Sequence, residues 1–95
     1  MSRDAVEWHS LGELVAEGNA PPPYPLEALE RSWEGTARVR VEFDDEGKPE
    51  SVGLEGTSGH GILDEAALSA AKAWHMGGNR RRIVVVPVAF KLEDE

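Results

Sequence analysis

Hydrophobic and polar residues alternate without interruption from Thr36 to Phe43. Ala37, Val39, Val41 and Phe43 fall on one side of an extended chain, and Thr36, Arg38, Arg40 and Glu42 on the other. A period of two predicts a strand with one buried face. Asp44-Asp45-Glu46-Gly47-Lys48 reads as a hairpin turn in which Gly47 can take positive φ, and Val52 and Leu54 mark a shorter returning strand. A third strand is predicted from Ile83 to Leu92. Val84, Val86, Val88, Phe90 and Leu92 form its core face; Ile83, Val85, Pro87 and Ala89 form a second apolar face that core packing alone does not explain.

Helical spacing appears in three places. Leu63, Ala67, Ala70, Ala71 and Trp74 line one stripe of residues 62–75, with Asp64-Glu65 in the first turn and Gly77-Gly78-Asn79 as the stop. Ala28, Leu29, Ser32 and Trp33 share a face of a segment that Pro25 can open and Gly35 can end. Ala5, Trp8, Leu11 and Val15 recur at spacings of three and four, which predicts an amphipathic helix over 5–16, ended by Gly18-Asn19. Between the last two lies Ala20-Pro21-Pro22-Pro23-Tyr24-Pro25, an extended, polyproline-like arm. The division expected is an N-terminal appendage, 1–20, and a main domain, 21–95. Helix, strand, strand, helix, strand after the arm makes an α+β domain with an antiparallel sheet.

Composition narrows the function. The net charge is −8, from 10 Lys+Arg against 18 Asp+Glu, which argues against nucleic acid or an anionic membrane surface as partner. The one basic cluster, Arg80-Arg81-Arg82, reads as a solvated run or as cations steering an acidic partner segment toward the last strand. There are no cysteines, so disulfides and thiolate chemistry are excluded. His9, His60 and His75 belong to three different elements, so no metal or other cofactor is expected. No acid, base and nucleophile converge, and an enzyme is not expected. Met1-Ser2-Arg3-Asp4 leads into a mixed polar stretch rather than a signal peptide. The run Ile83–Phe90 falls far short of the ~20 residues of a membrane helix, so this chain is not expected to insert in a membrane.

The last strand is the expected binding element. Pro87 has no N–H and fits an edge rather than the middle of a sheet. An edge can template an added strand. About four to six hydrogen bonds, each worth ~0.5–1.5 kcal/mol net and offset by the ordering of the peptide, predict affinity on the order of micromolar. Trp8 and Leu11 are the residues best placed to cover the second apolar face.

From Pro22 to Leu92 the chain resembles the C-terminal domain of TonB-type energy transducers. The matching pieces are Tyr24-Pro25, Gly35-Thr36-Ala37-Arg38-Val39, Asp45-Glu46-Gly47, Thr57-Ser58-Gly59, Leu63-Asp64-Glu65-Ala66-Ala67-Leu68, Trp74 and Val86-Pro87-Val88-Ala89-Phe90-Lys91-Leu92. The resemblance implies two helices on one face of a three-stranded antiparallel sheet, and a periplasmic domain that grips a peptide of an outer-membrane receptor. The partner surface implied comprises Ile83, Val84, Val85, Val86, Pro87, Val88, Ala89 and Phe90, the flanking Arg82 and Lys91, and Tyr24 with Pro25. An inner-membrane motor would act through an N-terminal anchor that lies outside this sequence. The sequence departs from the family's layout in lacking that anchor and the long proline-rich spacer, which only Pro21 to Pro25 resembles. A complete chain of this kind would be cytoplasmic. It would then be a stand-alone interaction or scaffold module whose edge pairs with another protein or with a second copy in a homodimer.

Overall fold

The computed structural model describes residues 5–78 and 80–92. Its elements are β1 (Val6–Trp8), α1 (Leu11–Ala16), α2 (Leu26–Glu30), β2 (Gly35–Phe43), β3 (Pro49–Gly56), α3 (Gly61–Ala71) and β4 (Arg82–Phe90). The alternation of 36–43 becomes β2, with Ala37, Val39, Val41 and Phe43 all buried. Asp44 shapes the hairpin: its Oδ1 accepts from the N–H groups of Glu46 at 2.8 Å and Lys48 at 2.9 Å. Gly47 sits at φ 82° and its carbonyl accepts from Met76 N–H at 3.0 Å.

The sheet has four strands in the order β1-β4-β2-β3. β2 pairs antiparallel with β3 on one side and with β4 on the other, while β1 pairs parallel to β4. The expectation of a three-stranded antiparallel sheet is therefore corrected to a four-stranded mixed one. The fourth strand comes from the segment expected to be helical. Residues 5–16 do not form one helix, because Ser10 adopts an extended backbone and caps a helix that begins only at Leu11. Its hydroxyl accepts from Glu13 N–H at 3.1 Å and the Glu13 carboxylate accepts from Ser10 N–H at 2.8 Å, a capping box. Upstream of it, Val6–Trp8 gains more by pairing its backbone with β4 than by extending a short helix that contains Gly12.

Among the described residues, helices cover one face of the sheet. Leu14 of α1, Ala28 of α2 and Leu63, Ala67 and Ala71 of α3 share a core with Val84, Val86, Val88 and Phe90 of β4. α3 is shorter than its predicted 62–75. Ala73 and Trp74 bond three residues back rather than four, and this tightening ends the helix while Trp74 enters the core at 1% exposure. Gly78 follows at φ 114°, and the predicted stop residue Asn79 lies outside the described residues. α2 is also short, since Ser32 turns left-handed at φ 57°; of its predicted face, Ala28 alone is fully buried. β4 ends at Phe90, so Leu92 lies just beyond the strand. The arm is fastened at its N-terminal end. Trp74 Nε1 donates to Ala20 O at 3.0 Å, and the Asn19 amide both accepts from His75 N–H at 2.8 Å and donates to His75 O at 3.0 Å.

Candidate functional site

β4 runs between two neighbours of unequal length. On one side β2 matches it along its whole course, from Gly35 opposite Phe90 to Phe43 opposite Arg82. On the other, β1 covers only Ile83, Val84 and Val85. The strand expected at an edge is thus enclosed over its first half and bordered by no strand over its second half among the described residues.

Backbone directions in the second half follow from one bond and one residue. Val85 O accepts from His9 N–H at 3.1 Å, so the peptide groups of Val85 face the β1 side. Successive residues of a strand alternate, so Pro87 and Ala89 face that side as well. Pro87, opposite Arg38 of β2, consequently costs the ladder no hydrogen bond. Past the end of β1, the outer lane presents the carbonyls of Pro87 and Ala89 and the Ala89 N–H.

The side chains of β4 divide as the alternation predicts. Val84, Val86, Val88 and Phe90 point into the core; Ile83, Val85, Pro87 and Ala89 point to the face without helices. Val85 is nevertheless buried, 1% exposed. Its register neighbours, Trp8 in β1 and Arg40 in β2, flank it on that face. Trp8 itself is 60% exposed and Val6 42%. The Arg40 guanidinium reaches toward Glu55 at 3.9 Å, with Nε buried and unpartnered.

Glu7 anchors β1. Its Oε1 accepts from Arg82 Nη2 at 2.8 Å and Nε at 3.3 Å, Arg80 lies 3.5 Å from Oε2, and the His9 ring is 3.0 Å from Oε1. The Arg82 hydrogen bonds, then the His9 contact, outweigh partial burial and hold the Glu7 carboxyl down at about 2. Arg82 also donates to Gly77 O at 2.9 Å. Arg81 turns the other way, to Glu50 at 3.1 Å and Asp45 at 3.8 Å. All three arginines of the run are therefore paired with carboxylates of the same chain, Arg82 largely covered and Arg80 and Arg81 still exposed.

Tyr24 and Pro25 lie away from the outer lane, Tyr24 on the core side of β4, and fasten the C-terminal end of the arm. The Tyr24 hydroxyl donates to Trp33 O, and its ring meets Phe90 edge-on at 5.4 Å. Pro25 occupies the cap position of α2. The opposite sheet edge, β3, differs in character: Glu50, Ser51 and Glu55 are exposed along it, and its pairing with β2 is interrupted twice by register shifts. Charges and bulges of this kind discourage strand addition.

Ser58 and His60 make local contacts. Ser58 Oγ meets His60 only through its backbone, at 3.0 Å from the carbonyl and 3.2 Å from the N–H, while the His60 ring stacks on Trp33 at 4.7 Å. A hollow of about 460 Å³ between Pro23 and α3 contains Glu65 and Ser69 among apolar residues.

Sequence reasoning missed β1 and the role of Glu7. A signal was present: Ser10-x-x-Glu13 places a helix start at Leu11 and leaves Val6-Glu7-Trp8 as an alternating triplet outside it.

Comparison with known proteins places this arrangement. Residues 20–92 match the family described as Gram-negative bacterial TonB protein C-terminal. The protein tonB2 of Pseudomonas aeruginosa is 38% identical over 80 residues, covering 78% of this chain and 30% of the relative. The TonB protein of Neisseria meningitidis serogroup C is 38% identical over 80 residues, covering 83% of this chain and 29% of the relative. The chain thus spans less than a third of the length of these relatives. An NMR solution structure of Helicobacter pylori TonB-CTD superimposes with a TM-score of 0.67 at 21% identity, over 90% of this chain and 78% of that one. This structural likeness bears on the fold alone.

Proposed function

This chain belongs to the family of Gram-negative bacterial TonB protein C-terminal domains, and on that premise we propose that it is a non-enzymatic, periplasmic energy-transducing adaptor domain whose β4 lane takes up an extended segment of an outer-membrane receptor. The observation that carries this reading is the outer lane of β4, which continues past β1 with outward-facing peptide groups at Pro87 and Ala89. A strand added there gains backbone hydrogen bonds without disturbing the core, because β4 already buries Val84, Val86, Val88 and Phe90 against the helices. Side chains of the added strand would meet Pro87, Ala89 and, at the end of β1, Trp8 on the open face. Few new bonds form and the segment must be ordered, so the affinity is on the order of micromolar, suited to a partner that is released. Coupling to an inner-membrane motor would be the work of other parts of a longer parent protein. Calorimetric titration with synthetic peptides copied from periplasm-facing receptor segments tests the proposal: micromolar binding by some of them supports it, and no binding by any at millimolar concentration rules it out.

A second reading draws on the exposure of Val6 and Trp8 at the rim of the sheet: the same edge could pair with a second copy of the chain. A mass in solution that stays monomeric up to high concentration excludes it.

A further inference from the structure

We infer that Val6–Trp8 is a resident stand-in, which holds the lane beside β4 until a partner segment of the same pattern, apolar–acidic–apolar and parallel to β4, exchanges with it. This inference rests on the reading of β4 as the receptor-binding strand. It adds what now fills the lane, how the lane is vacated and which chemistry the incoming segment carries.

Three features make β1 exchangeable. It is short, three residues against the nine of β4, and two of its side chains are largely in solvent. It is also separable from the core: His9 links it to the exposed capping box through Glu13 at 3.5 Å, but the next buried or long-range fixed points, Leu14 and the two-way Asn19–His75 contact, do not involve residues 5–9. Releasing residues 5–9 leaves those in place. Finally, the lane is longer than its occupant. A segment of about six residues would regain what β1 makes and add bonds at Pro87 and Ala89, so length favours the incomer. Against it stands the tether, which gives β1 an effective concentration of about millimolar.

β1 also shows what the lane selects. In register, Val6 lies beside Ile83 and Trp8 beside Val85 on the open face, while Glu7 lies beside Val84 and turns to Arg82 and Arg80. An incoming segment that displaces Glu7 leaves Arg82, only 15% exposed at its side chain, without its carboxylate unless it brings one of its own. A central acidic residue is therefore required, flanked by apolar ones.

The test uses the full chain and its lack of cysteine. Val6→Cys with Ile83→Cys places two thiols at register partners on the open face, a spacing that suits a disulfide. When oxidised, this variant pins β1; when reduced, it does not. The probe is a fluorescein-labelled peptide of residues 5–9, together with a copy carrying Lys in place of Glu7. The wild-type chain should bind the first probe at about millimolar, the tether's own effective concentration, and the reduced variant, which carries the same two substitutions, is the reference for the oxidised one. Glu7→Gln in the chain should tighten binding about three- to tenfold, oxidation should abolish it, and the Lys probe should bind at least about tenfold more weakly. Equal binding by the oxidised and reduced forms, or no binding by any form including Glu7→Gln, overturns the exchange. Receptor-derived peptides on the same proteins separate the two ideas. Equal binding to both forms keeps receptor recognition and removes the exchange. Binding of the self-derived probe alone keeps the exchange and removes receptor recognition.

Discussion

The Glu7 carboxylate and the Arg82 guanidinium, 75 positions apart in sequence, meet through two hydrogen bonds to one oxygen, from Nη2 at 2.8 Å and Nε at 3.3 Å. The pair joins the first strand to the last and holds Glu7 ionised down to about pH 2. Its carboxyl is depressed on folding, so the unfolded chain binds more protons and stability rises with pH through that range. The contribution is complete above the ordinary glutamate range near 4.5 and is lost as pH falls from there toward 2. Glu7→Gln should therefore destabilise the chain at pH 7 and flatten the decline in stability below pH 4.5. Urea unfolding of both proteins at several pH values checks this; coincident profiles would show that Glu7 contributes nothing, and parallel ones that its ionisation is not linked to stability.

Asp64 should matter in a similar way at the start of α3. Although burial opposes its ionisation, the hydrogen bonds from Thr57 and Ser58 prevail and hold its carboxyl below the usual range. Ser58 N–H donates to Oδ1 at 2.8 Å and the Thr57 hydroxyl to Oδ2. Asp64→Ala leaves both donors without their charged acceptor and should cost about 1–3 kcal/mol. Asp64→Asn keeps the shape and one acceptor and should cost less. Chemical denaturation of the two variants distinguishes them; equal losses would mean that the charge is immaterial.

Gly47 and Met76 set a steric limit. At φ 82° a Cβ on residue 47 would run into the Met76 carbonyl oxygen, while Met76 N–H already donates to Gly47 O at 3.0 Å. Gly47→Ala should lose at least about 2 kcal/mol from backbone strain and displacement of the 75–77 segment. By contrast Gly18, also at positive φ, has open space around it, and Gly18→Ala should carry only the smaller conformational cost. Thermal unfolding of the two variants should place Gly47→Ala well below Gly18→Ala, and the reverse order would refute the contact.

Much of this fold was legible from residues alone because its signals are local. The eight-residue alternation of β2, the Asp-Asp-Glu-Gly turn and the stripe of α3 each specify a structure from within a short window. The motif resemblance, spread over Pro22 to Leu92, added the family. The rest was hidden for physical reasons. β1 is too short to carry a period, and its partner lies some 75 residues downstream. Trp8 fitted a helical stripe by spacing, yet its place is decided by tertiary pairing beside Val85. Ser32, at φ 57° without being glycine, ended α2 where no breaker was visible. At the site, Pro87 indicated an edge, whereas β4 is an interior strand whose outer side is bordered by no strand only past Val85 among the described residues; Trp8 was expected to cover that strand, but as part of a helix rather than as a paired strand.

Trp74 ties the arm to the core and offers a graded test of that link. At 1% exposure it donates from Nε1 to Ala20 O at 3.0 Å. Trp74→Phe should lose about 1 kcal/mol with the hydrogen bond, and Trp74→Ala about 3–5 kcal/mol through the cavity it leaves, much of the stability of a domain this size. A Trp74→Phe variant as unstable as Trp74→Ala would place the whole effect in the bond.

The central claim, that an extended receptor segment adds along β4, is tested most directly by following backbone amide resonances during titration with a receptor-derived peptide. β4 and β3 border different edges of the same sheet, so the map of perturbed amides decides between them. The largest changes are predicted at Ala89 and Lys91; where β1 also exchanges, changes at Val85 and loss of the β1 pairing at Glu7 and His9 accompany them. Changes confined to Ser51–Gly56 of β3, with β4 undisturbed, would contradict the account.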